Sequence, residues 1–528
     1  MSKLFSPSCL KSLCALSPLV LAAAVLAVSQ AQAAEPSFDI YEYVVDGNSM
    51  LTGLSIENAV SPFLGEHKTL ADVEAARAAL ERIYHDAGYL TVVVSIPEQQ
   101  VDAGAVALHV VEATVERLRV KGAAYTLPSE IKDKVPELAE GRVPNFTALQ
   151  AQLAVANRSA DTRVTPVLRA GALPGTVEVQ LDIDDQLPFH GSVEYSNRQT
   201  PNTTPQRLSA SLRYDNLWQL GHSVGLTLQT APQRTADASV LALNYLVPYG
   251  SGGDAASMFY VHSRSDFASL GNSPGLGLLG NSDILGLRNT WRLPAPSDSS
   301  QTFALGLDYR DVKQSLVVLG AGSTDTPITY VPVVASYAGA LFGDNRSSSL
   351  DLNATIGLRG LFGNSDEKFA AKRADASANF LALRAGLQHS ETLERWTLIG
   401  KLEAQIATGP LIPNDQFTAG GADSVRGYLE GERAGDAGLR ASVELRTPPW
   451  TPAGPNAAWR LTGLSFLDMA RVNTLHTDIK SLAGIGLGLR LTAPRGLTLE
   501  ADAARALIDG DTTRSGDLRM HARALWSF

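Results

Sequence analysis

The feature that most constrains this chain is a period of two. From Phe189 to the C-terminus, apolar and polar side chains alternate in one segment after another. Leu208, Ala210, Leu212 and Tyr214 alternate with Ser209, Ser211 and Arg213. Phe303, Leu305, Leu307 and Tyr309 do so with Ala304, Gly306 and Asp308, and Leu439, Ala441, Val443 and Leu445 with Arg440, Ser442, Glu444 and Arg446. Successive side chains of a strand point to opposite faces, so each run puts one face in an apolar medium and the other in a polar one. No convincing amphipathic helix interrupts the pattern. The stretches between runs, such as 250–256 and 409–421, are polar or rich in Gly and Pro, as connections require.

Two architectures satisfy this alternation. One is a soluble all-β protein with an apolar core; the other is a transmembrane barrel with lipid outside and a polar lumen. The two ends of the chain favour the barrel. Lys3 and Lys11, an apolar stretch from Leu13 to Ser29 and the small-x-small triplet Ala31-Gln32-Ala33 read as a signal peptide over residues 1–33, so the chain is expected to be exported. The last segment, Leu518, Met520, Ala522, Ala524, Trp526 and Phe528 with Arg519, His521 and Arg523 between, ends on an aromatic residue. Such a strand suits a sheet that must close on itself in hydrocarbon. At about 10 residues per strand, sixteen strands would use roughly 160 residues, and fourteen or eighteen would fit almost as well. Residues 188–528 are therefore expected to form a transmembrane antiparallel β-barrel.

Ahead of the barrel lie two short α+β patterns. The first, 38–113, opens with a strand over 38–45, continues through helical spacing at Ile56, Val60 and Phe63 and a helix over 70–87, and ends in strands near 89–96 and 105–111. The second, 114–187, repeats that order with strands at 115–120, 162–169 and 176–183 and helices near 129–135 and 146–157. Matching orders in tandem predict two copies of one module.

Composition narrows the function. The chain of 528 residues has 54 acidic side chains against 44 basic ones, a formal charge of -10, which argues against a nucleic-acid partner. Cys9 and Cys14 are its only cysteines, and both fall in the leader, so disulfides play no part. No nucleophile–base pair, phosphate loop or metal-spaced cluster emerges. The chain is expected to be no enzyme and to need no cofactor or metal.

One motif stands apart from the strands: Val425-Arg426-Gly427-Tyr428 in a glycine-rich loop, followed by Phe466-Leu467-Asp468-Met469-Ala470. Parity turns Leu467 and Met469 outward and Phe466 and Asp468 inward. A lumenal carboxylate needs a partner, and a guanidinium folded in from a loop can supply a bidentate one. With these residues the chain resembles the outer-membrane transporters of two-partner secretion, the haemolysin and filamentous-haemagglutinin transporters of the Omp85 superfamily. The resemblance covers nearly all of the chain after the leader. It implies two tandem POTRA domains, 38–113 and 114–187, and a barrel of sixteen strands whose sixth extracellular loop, near 410–436, folds into the lumen. It also implies an ion pair between Arg426 and Asp468 with a structural and gating role, supported by Val425, Gly427, Tyr428 and Phe466. Ala470 stands where the family has glycine, as does Ala113 at the junction of the modules.

The resemblance further implies an unfolded secreted exoprotein (an adhesin, a cytolysin or similar) captured by the POTRA domains. Other expected partners are outer-membrane lipid and lipopolysaccharide, and the barrel assembly machinery through the C-terminal signal at Trp526 and Phe528; the protein itself is expected to be monomeric. Many members also carry a plug helix ahead of the first POTRA domain, and with only Glu35-Pro36-Ser37 between leader and first strand no such helix is expected here. Two other functions share much of this pattern: an Omp85-type assembly factor for outer-membrane proteins, and a passive solute porin.

Overall fold

The computed structural model describes residues 37–528 except 102, 251, 270–276, 314, 319–321, 326, 452–453, 455–458 and 477–478. The expected leader and the segment before the first strand lie outside the described residues. The chain forms two units. One comprises residues up to Arg117 with Glu140–Leu149 and Arg169–Glu178; the other comprises Leu118–Ala139, Gln150–Leu168 and Val179–Phe528.

In the first unit the strand Glu42–Asp46 runs parallel to Ala105–Glu112, which pairs antiparallel with Val92–Ser95. Helices Gly53–Val60 and Leu70–Asp86 cover this sheet. The longer helix starts where Thr69 and Asp72 bond each other's backbone N–H groups in a capping box. It stops at Gly88, whose φ of 96° lets the Tyr89 N–H turn back to the Tyr84 carbonyl. Its inward stripe of Val73, Ala76, Leu80 and Tyr84 is buried against Ile40, Val92, Val94, Val106 and Leu108. Burial of each large side chain contributes about 1.5–3 kcal/mol. The single strand expected over 38–45 is in fact two. Phe38–Ile40 pairs with a short strand, Gly65–Lys68, and the chain breaks at Tyr41, where the N–H groups of Tyr41 and Glu42 both reach the Gly104 carbonyl.

A second three-stranded sheet has the order Thr114–Lys121, Thr176–Asp185, Thr162–Ala170. One local device occurs in both modules. After the first strand, Gly47 (φ 81°) and Gly122 (φ 90°) pass so close to a neighbouring strand that a Cβ would lie 2.1 Å from the Val110 carbonyl oxygen and 2.3 Å from that of Ile183. Two residues beyond each carbonyl a carboxylate gathers the following turn. Glu112 accepts from the N–H groups of Ser49 and Met50, and Asp185 from those of Ala124, Tyr125 and Thr126. The same glycine–carboxylate pair thus recurs at corresponding places beside the two three-stranded sheets.

The second unit contains a closed antiparallel barrel of sixteen strands, from Phe189–Ser196 to Leu518–Ser527. Neighbours in sequence are neighbours in the sheet, and the eighth strand is split into Ile328–Tyr330 and Val333–Phe342, both lying along Ser299–Lys313. Closure joins Ser192–Ser196 to Arg523–Ser527. The alternation sets the two faces: Leu467 and Met469 are 40% and 50% exposed on the outside, while Phe466 and Asp468 are buried within. A continuous apolar outer belt of this kind suits lipid rather than water. The helix Asp366–Lys372 was not expected; at seven residues it is too short for a helical period to show against the surrounding strands.

Candidate functional site

The stretch between strands Trp396–Ala407 and Ala437–Arg446 turns inward and fills part of the lumen. Its fold begins with apolar contacts. Val425 and Tyr428 are fully buried with Phe417 and Ala419 of the same loop and with Ala470, Val472, Leu482 and Ala506, which point inward from three barrel strands. The methyl group of Ala470, the departure from the family glycine, sits inside this cluster. Gly427 has φ of 100° and lies where a Cβ would come within 3.1 Å of the Ala506 backbone nitrogen, so the turn admits no larger residue without displacement.

That turn places Arg426 among buried carboxylates. Its Nε and Nη2 donate to the two oxygens of Asp468 at 2.7 and 2.9 Å, and its backbone N–H also reaches Asp468 at 3.1 Å. Nη1 donates to Glu444 at 3.0 Å and lies 3.7 Å from Asp502. The guanidinium carbon sits 3.4 Å from the centre of the Phe466 ring. Arg446 binds Glu444 at 2.5 Å, and Arg490 binds Asp502 at 2.6 and 2.7 Å. Three guanidinium groups thus meet three carboxylates. Buried charges are tolerated only when each is compensated, and here the compensation comes from the loop and from four strands at once.

The two motif residues after Arg426 anchor the backbone. The Gly427 N–H donates to His521 Nε2 at 3.0 Å. The Tyr428 hydroxyl lies 2.7 Å from the Ile508 carbonyl and 2.9 Å from that of Ala483, and it accepts from the N–H groups of both residues.

Further clamps hold the loop away from the motif. Asp415 accepts from Arg310 at 2.6 Å and from the Tyr330 hydroxyl at 2.9 Å. Asp436 is paired with Arg373, and Gln405 donates to the carbonyls of Asp415 and Asp436. Glu432 takes the N–H groups of Thr512 and Thr513 at 2.7 and 2.8 Å, and Arg433 pairs with Asp511. Sequence reading named Val425, Arg426, Gly427, Tyr428, Phe466 and Asp468, which the structure brings together. It missed Glu444, Asp502, His521 and these outer clamps. Their strand parity already turned Glu444 and Asp502 inward, but which inward residues meet follows only from closure. Trp526 and Phe528 stand elsewhere, with ring centres 4.8 Å apart at the end of the last strand.

Comparison with known proteins agrees with this architecture. Residues 175–491 match the family described as haemolysin secretion/activation protein ShlB/FhaC/HecB, more than half of the chain. The chain belongs to that family. Residues 38–113 match the POTRA domain of ShlB type. The outer membrane transporter CdiB of Dickeya dadantii strain 3937 is 23% identical over 432 residues, covering 79% of this chain and 73% of that protein. The outer membrane transporter CdiB of Escherichia coli O6:K15:H31 (strain 536 / UPEC) is 24% identical over 462 residues, with 84% and 74% covered. Among solved structures, CdiB from Escherichia coli superposes with a TM-score of 0.64 at 20% identity, over 96% of this chain and 93% of the other. BamA from Haemophilus ducreyi lacking POTRA domains 1–3 does so at 0.57 and 15% identity, over 93% and 100%. These structural likenesses establish the fold.

Proposed function

We propose that this family member is an outer-membrane pore that recognises one large exoprotein and exports it by two-partner secretion. The barrel lies in the outer membrane of a Gram-negative bacterium, with POTRA structure in the periplasm. The observation that carries the reading is the lumenal loop, pinned through Arg426 to three strands of a closed barrel in a chain that also carries a ShlB-type POTRA domain. A passive solute porin has no use for such a domain. An assembly factor would share the loop, and the relatives named as transporters favour export over assembly.

In this reading residues 1–33 are a leader, 38–113 and 114–187 are two POTRA domains, and 188–528 is the pore. The repeated Gly47–Glu112 and Gly122–Asp185 devices support assigning the second domain. The modules bind an unfolded exoprotein, and edge strands such as Val92–Ser95 offer backbone groups for strand addition. The polar lumen keeps the moving backbone hydrated, and folding outside biases its motion outward. The pore performs no covalent chemistry, and Arg426 and Asp468 set the resting position of the loop. Deleting residues 38–113 and measuring secretion of the cognate exoprotein tests the capture step. Secretion should be lost while the barrel still inserts; unchanged secretion would remove the first module from recognition.

A further inference from the structure

Most anchors of the lumenal loop lie on one side of the barrel; toward the first strand it is held by Arg198, paired with Asp423, and by the Gln199 carbonyl, which accepts the Glu430 N–H at 3.0 Å. The anchors of the motif and of Asp415 lie on strand Ser299–Lys313, on Ile328–Tyr330 and on the strands from Ala437 to Ser527, with the connection 507–517 adding Ile508 and Asp511 through Thr513. The opposite arc is built by the first five barrel strands, Phe189–Ser196, Arg207–Leu217, His222–Thr230, Ala238–Tyr249 and Asp254–Ser269. Along it lies a cavity of about 1010 Å³. Loop residues Asp423 and Glu430 reach its edge, but the inward side chains of the arc itself bound the space.

On the first three strands most of these side chains share a chemistry, while Ala242, Phe259 and Val261 make the far end apolar. Ser192, Ser211 and Thr227 are successive partners in the strand register and form one row across three strands, with the Ser211 and Thr227 hydroxyls 3.1 Å apart. Ser209 and Gln229 form a second row, joined at 3.3 Å, and Asn244 continues the amides onto the fourth strand. The arginines are held in place: Arg523 binds Glu194 at 2.8 Å, Arg213 binds Asp215 at 2.9 Å, Arg198 pairs with Asp423, and Arg207 donates to the Thr204 and Gln206 carbonyls. A wall of neutral hydroxyls and amides offers many weak, interchangeable hydrogen bonds and no deep electrostatic trap. A side chain of either charge can pass it without large cost. Five strands at roughly 4.8 Å spacing span about 20 Å of wall, enough for one extended chain but not for a folded domain.

We propose that the conduit runs along this hydroxyl–amide wall while the loop stays seated on the other side, and that the exported polypeptide slides past Ser192, Ser211, Thr227, Gln229 and Asn244 as an extended chain. The choice of occupant rests on the export reading above; the choice of wall does not.

Single cysteines in a Cys9→Ser, Cys14→Ser background, purified in detergent and inserted into planar bilayers, test it with cationic and anionic methanethiosulfonate reagents. Modification of Ser211→Cys and of Thr227→Cys should lower single-channel conductance about twofold or more with either reagent. Leu228→Cys, on the lipid face and outside the lining of the cavity, should leave it unchanged, and Ala470→Cys, buried beneath the seated loop, should not react and so should give no drop on reagent addition. A drop at Ala470 without one at Ser211 or Thr227 would overturn the proposal and leave the export reading standing. Unaltered conductance at all four positions would overturn it as well. Channels absent even before modification would remove both. A stalled exoprotein that forms disulfides with Ser211→Cys but not with Ala470→Cys would assign the occupant.

Discussion

Gly484 and Arg426 meet backbone to side-chain space: a Cβ on Gly484 would lie 2.0 Å from the carbonyl oxygen of Arg426. The strand Ile479–Thr492 therefore owes its tolerance of the loop to a missing side chain. Gly484→Ala should lift the Arg426 turn from its seat while leaving the barrel sheet intact. Bilayer recordings of that variant should show longer or more frequent open events than wild type, with a lower unfolding temperature in detergent because the Arg426–Asp468 pairing is disturbed. Gating indistinguishable from wild type would show that the turn can shift without consequence.

Removing one member of the Arg426–Asp468 pair strips the other buried charge of its bidentate partner, a loss of about 3–5 kcal/mol. Arg426→Ala and Asp468→Ala should each lower the unfolding temperature followed by heat-modifiable gel migration. The double variant should be no worse than the poorer single one, because the remaining network Arg446–Glu444 and Arg490–Asp502 is still paired. Strictly additive losses would separate the two residues energetically.

Tyr428→Phe keeps the ring in its cluster but deletes the hydroxyl that bridges Ala483 and Ile508. A cost of about 1–3 kcal/mol is expected from the backbone groups left without that partner. The same thermal assay should report it, with secretion reduced rather than abolished. Full wild-type stability would mean that water replaces the hydroxyl without loss.

The ion pair was legible because its motif is contiguous and the parity of Phe466 and Asp468 could be read along one strand. The outer clamps were not. Glu432 meets Thr512 and Thr513 at sequence separations of 80 and 81, between two irregular segments with no period to phase them. The hydroxyl wall escaped for another reason: Ser192, Ser211 and Thr227 become a row only once hairpin registers are fixed. The break at Tyr41 depends on Gly104, a tertiary contact that strand propensity over 38–45 does not contain.

Asp185 provides a pH test in the second module. Burial pushes its carboxyl up, but the N–H groups of Tyr125, Thr126 and Ala124 and the Thr126 hydroxyl outweigh it and hold the folded value below the usual carboxylate range. A depressed folded value means that the stabilisation is present above the unfolded carboxylate value near 3.8 and fades as pH falls through the lower folded one. Thermal unfolding of the full chain should therefore lose module stability below about pH 4. Asp185→Asn should be less stable at neutral pH and lose less on acidification. Parallel acid profiles for the two chains would contradict that role.

The central claim is that the pore exports one partner rather than assembling membrane proteins in general. The most direct measurement compares, in a strain lacking this gene and in the same strain complemented, the surface appearance of the cognate exoprotein with the heat-modifiable assembly of unrelated outer-membrane barrels. In the deletion strain the exoprotein should be retained and degraded in the periplasm while the other barrels assemble normally, and complementation should restore its surface appearance. Normal release of the exoprotein, or a general failure of barrel assembly, would contradict it.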